Sequence, residues 1–278
     1  SWTVDEISFH NQVADLIMLT VRNSNYRKMQ ERFNQKNQLI QRHHNAVFTL
    51  MHDESIAEGV IQEGCDQITK VVGEQVAPEA YSVCIWLLAS DDHSMKCVSA
   101  YLATQKTHDK NSARYDYTLQ SYPNYIKALE KNRLICSANV YESEAYSDFA
   151  DTLLMADGIV SSASVGVYVY GKLVGVVWID YCELHQWSSE EEGLLSDISN
   201  QVSLLVLNHE RKNSSHQLHM LSRAVENSSS AVFIAQQDRR INYCNNQFLK
   251  LLKKDTSQIL GLKINELPFS DSSVDDAV

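Results

Sequence analysis

Ala163-Ser164-Val165-Gly166-Val167-Tyr168-Val169-Tyr170-Gly171-Lys172-Leu173-Val174-Gly175-Val176-Val177-Trp178-Ile179-Asp180-Tyr181 is the stretch on which the fold turns, and Trp187-Ser188-Ser189-Glu190-Glu191 follows it closely. Two runs of β-branched and aromatic residues flank Gly171-Lys172, so residues 163–170 and 173–181 are expected to form a hairpin. Ser188 and Glu191 stand three apart at the head of an apolar-periodic segment. That spacing predicts a capping box and the start of a long helix.

Working outward, the same alternation of strand and helix signals extends upstream. Ser55-Ile56-Ala57-Glu58 reads as another capping box, opening a helix with Ile56, Val60, Ile61, Ile68 and Val72 on one side. Residues 81–88 and 95–102 read as strands joined through the polar turn Ser90-Asp91-Asp92-His93. Pro123 suits the first turn of a helix to about residue 131. Residues 134–140 read as a strand and 147–156 as a short helix. The expected fold class is α+β: an antiparallel sheet flanked by helices.

Composition limits the function classes. The chain has 278 residues, 44% hydrophobic and 21% charged, which is ordinary globular material. Lysine plus arginine number 24 against 35 acidic residues, a net charge of −11. That balance argues against nucleic acid and against an anionic membrane surface as partners. Nine Gly and three Pro suit long helices and leave little for a glycine-rich phosphate loop. The longest uncharged stretch, 158–171, is too short to span a membrane, so no membrane insertion is expected. The chain starts at Ser1 without a signal peptide pattern, as a cut piece of a longer protein would. Cys65, Cys84, Cys97, Cys136, Cys182 and Cys244 form no Cys-x-x-Cys motif and read as reduced thiols of a cytoplasmic protein.

An internal repeat links the two ends of this region. Trp2-Thr3-Val4-Asp5-Glu6 matches Trp187-Ser188-Ser189-Glu190-Glu191 at an offset of 185, and Leu19, Val21 and Asn23 match Leu204, Val206 and Asn208. Phe9, Val13 and Ile17 correspond to Leu194, Ile198 and Val202, spaced for one helical face. Thr3 and Glu6 read as a capping box like Ser188 and Glu191. Beyond this, apolar residues recur in heptads at Leu19, Tyr26, Met29, Phe33, Ile40, Val47 and Leu50, and at Leu204, Leu207, Leu218, Leu221 and Val225. Lys36, His43, Arg211 and Ser214 interrupt the pattern, so any coiled coil is imperfect. The candidate seam of a homodimer comprises Phe33, Ile40, Val47, Leu204, Leu207, Leu218, Leu221 and Val225. A long helix packing only on its own domain is the alternative.

The central region resembles the GAF domain family of bacterial signalling proteins. Gly158-Ile159-Val160-Ser161, Val165, Gly171-Lys172-Leu173-Val174-Gly175-Val176 and Trp187-Ser188-Ser189-Glu190-Glu191 carry the resemblance. The chain departs from the family pattern at Val160, where Arg is frequent, and at Gly166, where Pro is. The resemblance implies a GAF domain over 51–208, linker helices over 28–50 and 209–227, and the last helix of a preceding GAF domain over 1–27. From Leu221 onward the chain is similar to the start of a PAS domain. Ala231-Val232-Phe233-Ile234, Asp238, Ile241-Asn242-Tyr243-Cys244-Asn245-Asn246-Gln247-Phe248 and Leu260-Gly261 read as strand, turn, strand and a short helix with Phe248, Leu251 and Leu252 inward. The family usually has Gly at the position of Arg239. Residues 228–278 then make the N-terminal half of a PAS domain, and neither flavin nor haem is expected there.

No catalytic residue and no metal site is expected. His216-x-x-His219 and Cys182-x-x-His185 each lack a second pair of ligands. His43-His44 reads as a pair of exposed helix histidines. The Asn-Lys…Phe…Asp-Glu signature of cyclic-nucleotide-binding GAF domains is not found. Cys136 falls in an expected strand, unlike the chromophore cysteine of bilin-binding relatives. Methionine sulfoxide reductases of this family act through cysteines but stand alone, whereas this domain lies between linkers. The resemblance places a small-molecule pocket between the sheet and the 147–156 segment, with Phe149, Leu153, Ser164, Gly166 and Trp178 as candidates. The expected function is that of a non-enzymatic sensory or regulatory module. Its output domain would be a cyclic-di-GMP synthase or phosphodiesterase, or else a histidine kinase. A ligand-free dimerisation scaffold is the alternative.

Overall fold

The hairpin forms as expected, with its turn one residue earlier. In the computed structural model, which describes residues 4–89, 94–109, 116–118 and 121–267, β6 (Ser161–Val169) pairs antiparallel with β7 (Lys172–Tyr181). Val169 faces Lys172, so Tyr170 and Gly171 make the loop, with φ of 50° and 80°. Two left-handed residues give the turn whose twist matches its strands, and glycine adopts that conformation without strain.

Around this hairpin the sheet runs β3-β2-β1-β7-β6-β5, with β4 also pairing β2; all pairings are antiparallel. β1 is Ser82–Leu88, β2 is Ser94–Leu102, β3 is Thr107–His108, β4 is Asp116–Thr118 and β5 is Leu134–Ser137. β3 and β4 are additions to the sequence reading, and β5 ends at Ser137, short of residue 140. The turn at 90–93 lies outside the described residues.

Helices cover one face. α1 (Val4–Met51), α2 (Glu54–Ala57), α3 (Ile61–Val71) and α5 (Ser189–Glu226) bring Ala46, Leu50, Ile68, Val72, Ile198, Val202 and Leu205 onto Val83, Ile85, Val165, Val177 and Ile179. α1 and α5 run parallel here: Lys36 pairs Glu190 at 2.5 Å, and His43 bonds Asp197 at 2.9 Å one heptad later. His43 is thus corrected from an exposed histidine to a tie between helices; His44 stays exposed. α4 (Pro123–Asn132), with Pro123 in its first turn, and the 140–159 segment cover the other face, around Tyr125, Leu129, Tyr146, Phe149 and Leu154.

Both capping sites can be compared with their sequence reading. At the head of α5, Glu191 accepts from the Ser188 amide at 2.8 Å and its hydroxyl at 2.7 Å, while the Glu191 amide donates to Ser188 Oγ at 3.4 Å. The box exists, and Ser188→Ala is expected to lower stability by about 1 kcal/mol in thermal unfolding. The Ser55 box is corrected: Asp53 is the cap, accepting the amides of Ser55 and Ile56. The helix expected there breaks at Gly59, where φ is 69° and a Cβ would stand 2.3 Å from the His209 amide nitrogen. Only glycine permits that close approach of α5. The box at Thr3 lies outside the described residues.

A second unit begins after His209. β8 (Phe233–Ala235) pairs β9 (Ile241–Cys244), followed by α6 (Asn246–Leu252) and α7 (Thr256–Ile259) around Ile241, Phe248 and Ile259. Leu252 packs on this core, but Leu251 is exposed, contrary to the inward reading. Arg239 adopts φ 65°, which accounts for the family preference for Gly in this turn. Asn245 is fully buried and saturated. It donates to the carbonyls of Val225 and Ser230, both at 2.9 Å, and accepts from the amides of Val232 and Phe248. Asn245→Ala removes four side-chain hydrogen bonds to the backbone, so it is expected to cost about 2 kcal/mol, read as faster amide exchange over 232–248.

Candidate ligand-binding site

Strand register builds the site. Asp180 on β7 faces Ser82 on β1 and Ser162 on β6; two residues along, Trp178 faces Cys84 and Ser164. Alternation puts these residues on the face away from α5. Ser162 donates to Asp180 Oδ1 at 2.7 Å and Ser82 to Oδ2 at 3.1 Å. Asp180 is 4% exposed. Burial raises its pKa from the usual 3.8 to about 6, the two serine hydroxyls oppose the rise, and Asp157 adds to it.

Beside Asp180 stands an aromatic wall. Trp178 stacks on Phe149, with centroids 5.6 Å apart and planes 7° apart, and tilts 46° against Trp86, also at 5.6 Å. Its indole N–H donates to the Tyr125 hydroxyl at 2.5 Å. Asp148 fixes α4 behind this wall, accepting the backbone amides of Asn124 at 2.7 Å and Tyr125 at 3.2 Å. The hydrogen bond to Cys97, with burial, pushes the Cys84 thiol well up, so it packs as a neutral thiol.

A cavity of about 140 Å³ opens above this row, lined by Ser82, Cys84, Trp86, Cys97, Leu153, Trp178 and Asp180, with Asp109 and Asp157 also on its boundary. A smaller apolar void of about 20 Å³ adjoins it under Phe149, Leu153, Trp86 and Trp178. Phe149, Leu153 and Trp178 meet at the two cavities. Ser164 and Gly166 line neither of these two cavities. Ser164 is fully buried, 2.6 Å from the Tyr146 hydroxyl, and the Tyr168 ring covers Gly166, 2.6 Å from where a Cβ would stand. Asp180 was missed, although the hairpin pattern places it on the face of Trp178. A lone carboxylate in an otherwise apolar strand was the available signal.

The seam candidates divide by surroundings. Phe33, Leu204, Leu218 and Leu221 are exposed, Leu218 at 68% and Leu221 at 63%. Ile40, Leu207 and Val225 are half-buried, and Val47 packs on the core. At about 100° per residue, Leu204, Leu207, Leu218, Leu221 and Val225 share an arc of α5 opposite its buried stripe of Leu194, Ile198, Val202 and Leu205. Leu50, in the same heptads, is instead buried.

Other candidates resolve individually. His185 stacks on Tyr181 with centroids 4.2 Å apart and bonds Glu191 at 2.8 Å, so it supports the capping box. His216 and His219 are exposed. Cys136 lies on β5, and its thiol is pushed up to about 12, chiefly by burial. Among the described residues, no group of three or more His, Cys, Asp or Glu is placed to hold a metal, and no helix is long and apolar enough to cross a membrane. The six cysteines are free.

A model of the GAF domain family matches residues 61–206, more than half of the chain. The chain belongs to the GAF domain family. The match is a single GAF domain, and a model of the PAS fold matches residues 219–278 behind it. A search of curated protein sequences gives no match. Among solved structures, the GAF domain of a phosphoenolpyruvate-protein phosphotransferase from Coxiella burnetii is 11% identical with a TM-score of 0.50, covering 64% of this chain and 97% of that one. The phycoerythrobilin-bound GAF domain of a cyanobacterial phytochrome gives 12%, 0.49, 61% and 96% in the same order. The GAF domain of an Acinetobacter phosphoenolpyruvate-protein phosphotransferase gives 15%, 0.47, 66% and 97%. At these identities the likeness is one of fold. GAF and PAS are sensory domains, and the chain is a sensory or regulatory module of the two in series.

Proposed function

We propose that this module senses a small molecule in the GAF pocket and passes the change to a partner domain through its long helices. The observation that carries the reading is the cavity floored by the buried Asp180 and walled by Trp86 and Trp178, since a domain serving only as a scaffold gains nothing from burying a carboxylate beside a void. β6 and β7 tie the two faces of the sheet together. Ser162 and Asp180 look into the pocket layer, while the Gly166 carbonyl accepts from Ser199 of α5 at 2.8 Å. A shift of these strands therefore reaches α5.

The exposed apolar stripes on α1 and α5 support a homodimer, because isolated helices are marginal in water without a packed face. A seam of such contacts has few stable registers and turns a small shift into a two-state bias. By the repeat, Ile17 corresponds to Val202. Val202 is fully buried and Ile17 is 58% exposed, as suits the last helix of a preceding GAF domain over 1–27. With linkers at 28–50 and 209–227, the domain at 51–208 lies between two helical levers in sequence, and the PAS-like segment at 228–278 follows. The resemblance further suggests a non-enzymatic bacterial cytoplasmic protein with a cyclic-di-GMP synthase or phosphodiesterase as output. A thermal-unfolding screen of metabolites tests the sensor reading. A compound that raises the melting temperature and slows amide exchange in 194–205 supports it. A screen in which none does so favours the scaffold.

A further inference from the structure

We infer that the GAF pocket selects a compact organic cation, an ammonium or alkylammonium compound, with its charge at Asp180 and its carbon against Trp86 and Trp178. The inference rests on the small-molecule reading above and deepens it. Three carboxylates, Asp109, Asp157 and Asp180, reach the cavity, and no Lys, Arg or His lines it among the described residues. Among the described lining residues, a phosphate-bearing or carboxylate ligand would meet the like charge of Asp180 and Asp157 and no cationic side chain.

Asp180 has acceptor capacity left for such a guest. Each of its oxygens takes one serine hydroxyl, from Ser162 and Ser82, whereas an ionised carboxyl accepts about four hydrogen bonds. The two indoles, 5.6 Å apart and tilted by 46°, form an angled wall next to it. The faces of tryptophan attract ammonium groups within about 6 Å of the ring, and the attraction grows when water is excluded. A ligand that offers only hydrogen-bond donors would satisfy Asp180 without using the rings; one that is only apolar would leave a buried charge uncompensated. The cavity of about 140 Å³ limits the guest to the size of a small amine or choline.

The test uses the full chain, with tetramethylammonium, choline, ethanolamine and putrescine titrated at constant ionic strength. The controls are 3,3-dimethyl-1-butanol, the neutral isostere of choline, and the anion 3,3-dimethylbutyrate. At least one cation is expected to bind saturably and raise the melting temperature, with both controls inert. Asp180→Asn, judged folded by circular dichroism, is expected to weaken that binding by about 10- to 100-fold. Asp157→Asn, at an exposed position on the cavity boundary, also judged folded by circular dichroism, is expected to weaken it about threefold. Binding of the neutral isostere as tight as that of choline, or cation binding unchanged in both variants, overturns the charge assignment and leaves the small-molecule reading standing. Inertness of every cation also overturns the inference, while the small-molecule reading is then decided by whether the chain carries a bound compound from the cell.

Discussion

Leu218→Asp combined with Leu221→Asp is expected to abolish the proposed homodimer, giving a monomer in sedimentation at micromolar concentration where the parent sediments as a dimer. Both side chains are exposed, at 68% and 63%, and lie one helical turn apart on the face of α5 opposite its core stripe. In the dimer each leucine would contribute about 1.5–3 kcal/mol by burial. Four such side chains are lost per dimer, and like charges are brought together in their place. The resulting 6 kcal/mol or more corresponds to weakening by more than about 10⁴-fold. The fold should survive, because neither side chain belongs to a core cluster. Unchanged circular dichroism together with a monomer mass is the expected result. A dimer of unchanged stability in the double variant would refute the seam.

Asp180→Asn should make the ligand-free protein more stable at pH 8 and leave it unchanged at pH 4. The folded-state pKa of Asp180 lies above its unfolded value, from 3.8 up to about 6, with burial the largest cause. The protonated carboxyl is thus the form that the fold favours. Its contribution is complete below about pH 4 and is lost as pH rises through about 6. At about 1.4 kcal/mol per pH unit, the ionised carboxyl costs the fold about 3 kcal/mol at pH 8. Asparagine keeps the size and can still accept from one serine and donate to the other, but it never ionises. The titratable groups around this carboxyl include Asp157 and Asp109 at the cavity, the Cys84 and Cys182 thiols, and the Tyr125 and Tyr146 hydroxyls. None is altered by the substitution, so the difference between variant and parent isolates Asp180. A melting temperature higher by roughly 6–10 °C at pH 8 is expected for a domain of this size. A lower melting temperature at pH 8 would mean that the ionised carboxyl is held by partners stronger than the two serines. Such a gain in stability at the expense of binding is the usual signature of a residue retained for function.

How much of this was legible in the sequence depends on the range of the interactions. The β6–β7 hairpin and the Ser188–Glu191 box are local and follow from propensity and spacing, so they were readable. The Asp53 cap was missed because Ser55-Ile56-Ala57-Glu58 imitates a box, and the early end of that helix was missed because the break at Gly59 depends on a contact with α5 made 150 residues later. β3 and β4 are two and three residues long and exist only by pairing with β2. The 147–156 helix is built instead as a π-type turn, Ala150–Leu154, between irregular segments, and such turns have no distinct propensity signal. At the pocket, alternation gave two faces, and only packing decided which was covered by α4. Ser164 and Gly166 share the face of Trp178, yet the Tyr146 hydroxyl and the Tyr168 ring close over them. Asp180 was legible as an oddity but not as a site, since its value comes from the void beside it.

The central claim is that the GAF pocket holds a small molecule, and native mass spectrometry of the freshly purified chain tests it most directly. The account predicts a species heavier than the polypeptide by the mass of one small compound per chain. That species should disappear in Ala156→Trp, which adds an indole at Ala156, an exposed residue that lines the cavity. A bare polypeptide mass in the parent protein, or the same adduct in Ala156→Trp, would contradict it.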